Sequence, residues 1–307
     1  MSQKSLAKKV VWTRRIVQVL SLGLFFWLFW AVRVHEGAPV SPAKSLVNDD
    51  FAWLRVFFDL DPLVAAVTWL SSHELRTTPV LALATVIVTV LLGRVFCGWI
   101  CPLGVIHNAA TWFRARMRWN VRAPRDNWSP WQRAKYYVLA GLLVMALFGA
   151  HWAGVFDPIP LLFRSTATVL YPGTQYVVED AATAGYNSDP HVGSVHLKSA
   201  TEPVYRFMRD NVFKAKRQTF WGTDLIFLLF LGIVLLNLYR SRFWCRYVCP
   251  LGGLLGVCAQ RPVLRIENRE GCTDCGLCAM KCPAAANPDK PGDWRSAECF
   301  GCWNCVA

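Results

Sequence analysis

Seven of the twelve cysteines in this 307-residue chain lie from position 272 onward. They read Cys272-x2-Cys275-x2-Cys278-x3-Cys282-Pro283 and then Cys299-x2-Cys302-x2-Cys305. Thiolates two residues apart on a tight loop reach three irons of one cubane. The fourth ligand comes from elsewhere, and in two-cluster ferredoxins the fourth Cys of each run serves the other cluster. On that logic Cys282 joins Cys299, Cys302 and Cys305 in one complete 4Fe–4S site. Cys272, Cys275 and Cys278 supply three-quarters of a second, whose fourth ligand is expected just past the last residue. Zinc sites more often use two pairs across a longer spacer. A disulfide framework does not suit a tail facing a reducing compartment.

Four further cysteines sit in a repeat. Arg94-Val-Phe-Cys97-Gly-Trp-Ile-Cys101-Pro-Leu-Gly104 recurs as Arg242-Phe-Trp-Cys245-Arg-Tyr-Val-Cys249-Pro-Leu-Gly252, and upstream of each copy lies an Asp-Pro, Asp61-Pro62 and Asp157-Pro158. These are read as two parallel repeats, about 51–104 and 156–252, the second carrying an insertion over 173–218. On a helix, residues four apart share a face, so the two pairs could converge on one metal. Four thiolates suit an iron–sulfur centre or another soft metal. A thiol–disulfide couple and the packing of small buried thiols stay open beside that reading. Cys258 stands in an apolar stretch and reads as core.

The elements that must carry these cysteines are apolar. Hydrophobic residues make up 54% of the chain and charged ones 17%, against about 25% charged in an ordinary soluble domain. Runs 16–34, 79–96, 136–156 and 221–239 are long and apolar enough to be transmembrane helices. Segment 51–72 carries Arg55, Asp59, Asp61 and Pro62, which suits an interfacial or re-entrant element better than a span. Lys and Arg gather before residue 16 and in loop 94–135, at Arg94, Arg114, Arg116, Arg118, Arg122, Arg125, Arg133 and Lys135. The positive-inside rule places those segments and the tail in the cytoplasm and accounts for the +13 formal charge without nucleic acid. The expected fold is an all-α membrane domain over 1–256, with about four transmembrane helices and interfacial or re-entrant segments. A small ferredoxin-like α+β domain over 257–307 follows it. His35, His73, His151, His191 and His196 fall in outside loops or at span ends, and His107 follows the first Cys-Pro. No pair sits mid-span as a haem cage requires, and no hydrolase triad or nucleotide-binding loop is present, so no catalytic residue is assigned.

As a set, the doubled Cys-x3-Cys-Pro, the spans and the ferredoxin tail resemble the NapH/NosR-like membrane polyferredoxins, with the CcoG proteins as further relatives. The resemblance implies a protein of the bacterial inner membrane. It would pass electrons between the quinone pool or a cytoplasmic donor and a partner redox protein through two cytoplasmic 4Fe–4S clusters. A second function keeps its place: a metallocentre assembly factor whose membrane-edge cysteines handle or reduce a metal ion. No flavin is expected, because the residues before 16 leave no room for the flavin domain of the NosR-like branch.

Overall fold

The computed structural model describes residues 3–31, 52–73, 79–116, 126–188, 191–192, 195–196, 206, 222–267, 272–273, 275–289 and 292–307. His35, Arg118, Arg122, Arg125 and much of the insertion beyond 188 lie outside the described residues. The chain forms two compact units, one of residues 1–26, 55–162 and 231–307, the other of residues 27–54 and 163–230.

Helix α1 (Gln3–Ala31) is, among the described residues, the one helix long and apolar enough to cross a membrane, over Ser5–Phe29. It starts well before the expected 16–34, so Lys8, Lys9, Arg14 and Arg15 lie within it. Long basic side chains can keep their heads at an interface while their stems cover apolar surface. The other expected spans are shorter: α4 (Pro79–Leu92), α7 (Ala134–Leu147) and α11 (Thr223–Tyr239). Left-handed glycines mark these limits, with Gly93 at φ 82° closing α4, Gly149 at φ 80° just after α7 and Gly222 at φ 80° just before α11. Such a residue turns the backbone out of a right-handed helix.

Each Asp-Pro opens a half-helix. In the first repeat α2 (Ala52–Asp59) breaks before α3 (Pro62–Ser72). Asp61 caps α3, accepting hydrogen bonds from the Leu63 and Val64 amides at 2.9 and 3.4 Å, and Pro62 starts the helix with its φ already set. In the second, α8 (Ala153–Phe156) gives way at Asp157 to α9 (Pro158–Ser165).

The cysteine motifs also break their helices. Between α4 and α7 lie α5 (Val95–Trp99) and α6 (Pro102–Arg116), and after α11 come α12 (Phe243–Tyr247) and α13 (Pro250–Cys258). The expected single helical face for each Cys-x3-Cys pair is therefore corrected. Pro102 and Pro250 begin new helices, and a proline disfavours helical backbone in the residue before it. Cys101 and Cys249 sit at those breaks. The Cys249 sulfur caps α13, accepting from the Gly252 amide at 3.3 Å.

The core of the first unit packs α13 and α3 against α7, and α3 against α4, burying Leu63, Leu139, Leu142, Leu251 and Leu255. The outer faces stay apolar: Leu83, Ile87 and Leu91 on α4, and Leu225, Leu228 and Leu235 on α11, are exposed. In the tail, α14 (Leu277–Met280) and a 3-10 turn (Ser296–Glu298) are joined by loops. No strand occurs among its described residues, so the expected α+β character is not seen there. The second unit holds α10 (Tyr171–Ser188), a hairpin of β1 (His191–Val192) with β2 (Val195–His196), and Phe29 edge-on to the rings of Phe163 and Tyr171.

Candidate functional site

Four of the tail cysteines come together. Cys282, Cys299, Cys302 and Cys305 line one small pocket with Ile266, Trp294, Phe300 and Trp303, the grouping expected from their spacing. Backbone conformation aims amides at them. Ala285 and Asn287 adopt left-handed φ values of 51° and 49°, and between them Ala286 donates to the Cys282 sulfur at 3.4 Å. Non-glycine residues rarely adopt this conformation, and here it turns the chain back over the thiol. Burial pushes the thiols up, Cys282 to about 11 and Cys299 and Cys305 to about 12. Four soft donors around one pocket, wrapped in apolar side chains and met by N–H groups, fit an iron–sulfur cluster. Cys272 and Cys275 are exposed and Cys278 is half-buried at the start of α14. Among the described residues, no three His, Cys, Asp or Glu side chains close on a point that could hold a single metal ion.

Cys97, Cys101, Cys245 and Cys249 are all buried. They lie close enough to influence one another: burial raises the Cys101 and Cys249 thiols well above the usual range, and the neighbouring motif thiols raise them further. Burial pushes Cys245 up to about 11, with Arg242 and Arg94 pulling against it. These two arginines open the two cysteine motifs and are fully buried. Each reaches across to the other repeat. Arg94 Nη2 donates to the Cys245 carbonyl at 3.4 Å, and Arg242 Nη1 donates to the Cys97 carbonyl at 3.0 Å. Between them lies Phe300, its ring centroid 5.0 Å from the Arg94 guanidinium carbon and 4.6 Å from that of Arg242.

Phe300 belongs to the tail, so this contact joins the two sets of cysteines. The Trp99 indole donates to the Gly301 carbonyl at 3.0 Å, and Arg94 Nη1 donates to the Ala297 carbonyl at 3.1 Å and to Glu298 Oε2 at 3.3 Å. Lys135 pairs with the same Glu298 oxygen. Gly98 permits the approach, because a Cβ there would run into the Phe300 carbonyl.

Behind the motif thiols, Asp61 and Asp157 are fully buried, and Asp61 Oδ2 and both Asp157 carboxyl oxygens have no hydrogen-bond donor. Burial raises both carboxyls, Asp61 to about 6, and the neighbouring Asp61 raises Asp157 further, which favours a protonated Asp157. His107 is fully buried too, with Nδ1 at 2.6 Å from Asn237 Nδ2. Burial, reinforced by Arg242, lowers it to about 3, and the ring is a neutral core group. Arg94, Arg242, Asp61 and Asp157 had a signal in the sequence, since each recurs in its repeat. Phe300, Glu298 and Lys135 had none.

The family described as "4Fe-4S binding domain" matches residues 77–120 and 225–266. Each match encloses one Cys-x3-Cys-Pro pair, and neither reaches Cys272. The ferredoxin-type protein NapH of Escherichia coli (strain K12) is 26% identical over 95% of this chain and 84% of its own length. YccM of the same organism, whose name describes electron transport, is 24% identical over 95% of this chain and 71% of its own. The methylamine utilization ferredoxin-type protein MauN of Methylorubrum extorquens is 24% identical over 88% and 73%. This chain is similar to the NapH-like ferredoxin-type proteins. The names of these relatives describe ferredoxin-type or electron-transport proteins, and thiolates are the donors that iron–sulfur chemistry uses. No solved structure matches this NapH-like chain.

Proposed function

We propose that the protein passes electrons between a lipophilic quinone and a partner redox protein. Cys282, Cys299, Cys302 and Cys305 hold the 4Fe–4S cluster nearest the membrane face. Cys272, Cys275 and Cys278 contribute to a second, and Cys97, Cys101, Cys245 and Cys249 serve a further metal or redox centre. The observation that carries this reading is Cys299, which lines both the thiol pocket and a separate apolar cavity of about 350 Å³. That cavity is walled by Leu6 at the start of α1, Leu92 at the end of α4, and Pro262, Leu264, Trp294 and Trp303. It has the size and apolar lining of a small-molecule site, and membrane-soluble carriers reach the foot of apolar helices without crossing water. When bound, a cluster supplies one-electron chemistry. The chain's own residues hold the ring against Cys299 and keep water from the thiols.

The basic N-terminus and the tail lie on the same, cytoplasmic, side. The exposed apolar faces of α4 and α11 meet lipid, making the protein multi-pass in the bacterial inner membrane, with 257–307 as its ferredoxin-like part. Two measurements test the reading. Protein purified without oxygen should contain iron and acid-labile sulfide and give an EPR signal on reduction by dithionite; stoichiometric zinc without iron would refute it. Leu264→Trp should fill the cavity and abolish reduction by a short-chain quinol while dithionite still reduces the protein. Unchanged reduction by quinol would remove the quinone from the proposal.

A further inference from the structure

Arg242 is buried to 1% exposure, yet no carboxylate meets it among the described residues. Its contacts are the Asn108 side-chain oxygen at 2.8 Å, the Cys97 carbonyl at 3.0 Å, the Gly104 carbonyl at 3.4 Å and the Phe300 ring. All are neutral. Its repeat partner Arg94 shares its one carboxylate, Glu298, with buried Lys135. Burying a guanidinium with neutral acceptors alone is costly, and buried charges are ordinarily paired or set against a metal site. The groups beside both arginines that can become anionic are the motif thiols, whose carbonyls the guanidinium groups already grip.

We infer that Arg94 and Arg242 are the built-in counter-charges of an anionic iron–sulfur cluster carried by Cys97, Cys101, Cys245 and Cys249, with Phe300, clasped between them, as its contact with the tail site. The inference rests on the iron–sulfur reading above and adds to it a charge and a route. Iron bound by four thiolates carries net negative charge in an iron–sulfur centre, and reduction adds one more. Two fixed cations therefore favour the reduced form. Their placement is reciprocal, each reaching from one repeat to the cysteine carbonyl of the other, so both halves of the centre feel the same field. The donor set fits: four buried soft thiols, no competing carboxylate contact from Arg242, and an iron–sulfur family match that encloses each pair.

The test is a redox titration of the full-length protein, followed by EPR and visible absorption, in wild type, Arg242→Gln, Arg242→Lys and the quadruple Cys97/Cys101/Cys245/Cys249→Ser variant. Iron and sulfide are counted in each. The quadruple variant should lose iron while keeping the tail signal. Arg242→Gln should make the motif centre at least tenfold harder to reduce at fixed potential, equivalent to about 59 mV for a one-electron couple. Arg242→Lys, which keeps the charge, should stay near wild type. Equal iron in wild type and the quadruple variant would overturn the inference and leave the tail proposal standing, whereas no iron in either would overturn the tail proposal itself. An unchanged midpoint in Arg242→Gln, or equal loss of the centre in the Gln and Lys variants, would reduce the arginines to packing groups.

Discussion

Gly98 gives the sharpest test of the contact between motif and tail. It lies in α5, and an added Cβ would meet the backbone carbonyl of Phe300, which cannot swing aside as a flexible side chain could. Gly141, in α7, has nothing within 4 Å of the same virtual atom. Both changes to Ala gain about 1 kcal/mol of helix propensity, so their difference isolates the collision. Overpacking of a fitted interior costs about 1–3 kcal/mol. At 1.4 kcal/mol per tenfold, that makes release of the Phe300 segment about 5- to 150-fold more frequent in Gly98→Ala than in Gly141→Ala. The assay is the rate of alkylation of Cys302 in reduced, metal-free protein in detergent, with peptide mapping, since Cys302 is buried and follows Phe300 closely. Thermal unfolding of the two variants supplies the same difference independently. If both variants show the same rate and the same melting temperature, the tail does not rest on Gly98 and the junction described above is wrong.

The remaining tests address charge and loading. Glu298→Gln leaves the fully buried Arg94 and Lys135 without their carboxylate and should cost about 3–5 kcal/mol, read as a lowered thermal midpoint. Lys135→Met in the same background should return part of it. Asp157→Asn removes a buried carboxyl that has no donor and offers the neighbouring Asp61 an amide N–H, and should be well tolerated. Asp157→Leu leaves Asp61 with only its two cap amides and an apolar neighbour for its other oxygen, and should lower the yield of folded protein; equal behaviour of the two would discount the pair. Finally, burial holds Cys282, Cys299 and Cys305 as protonated thiols at neutral pH, with values of about 11, 12 and 12. Iron must displace those protons, so reconstitution of the metal-free protein with iron and sulfide should become more complete as pH rises from 6 to about 8.5. Iron uptake independent of pH in that window would contradict the burial of these thiols.

Covalent spacing alone determined much of this protein. The interval between cysteines restricts which thiols can reach one cluster, so the grouping of Cys282 with Cys299, Cys302 and Cys305 could be read before any fold was known. The repeat was equally legible, because two copies of Arg-x2-Cys-x3-Cys-Pro-x-Gly are a statement about local sequence. The break at each Asp-Pro also has a local cause, a fixed proline φ, joined in the first repeat by the Asp61 cap. Helix ends were misjudged because hydropathy is an average over a window, and a single left-handed glycine, as at Gly93 or Gly149, ends a helix without lowering that average. The tertiary structure alone decided the junction. Phe300 lies about two hundred residues from Arg94 and about sixty from Arg242 in sequence, and nothing local to any of the three says that two guanidinium groups share one ring. Glu298 and Lys135 are alike in this. A buried charge is tolerable only where distant parts of the chain bring its partner, and that depends on how the helices pack rather than on the order of residues along any one of them.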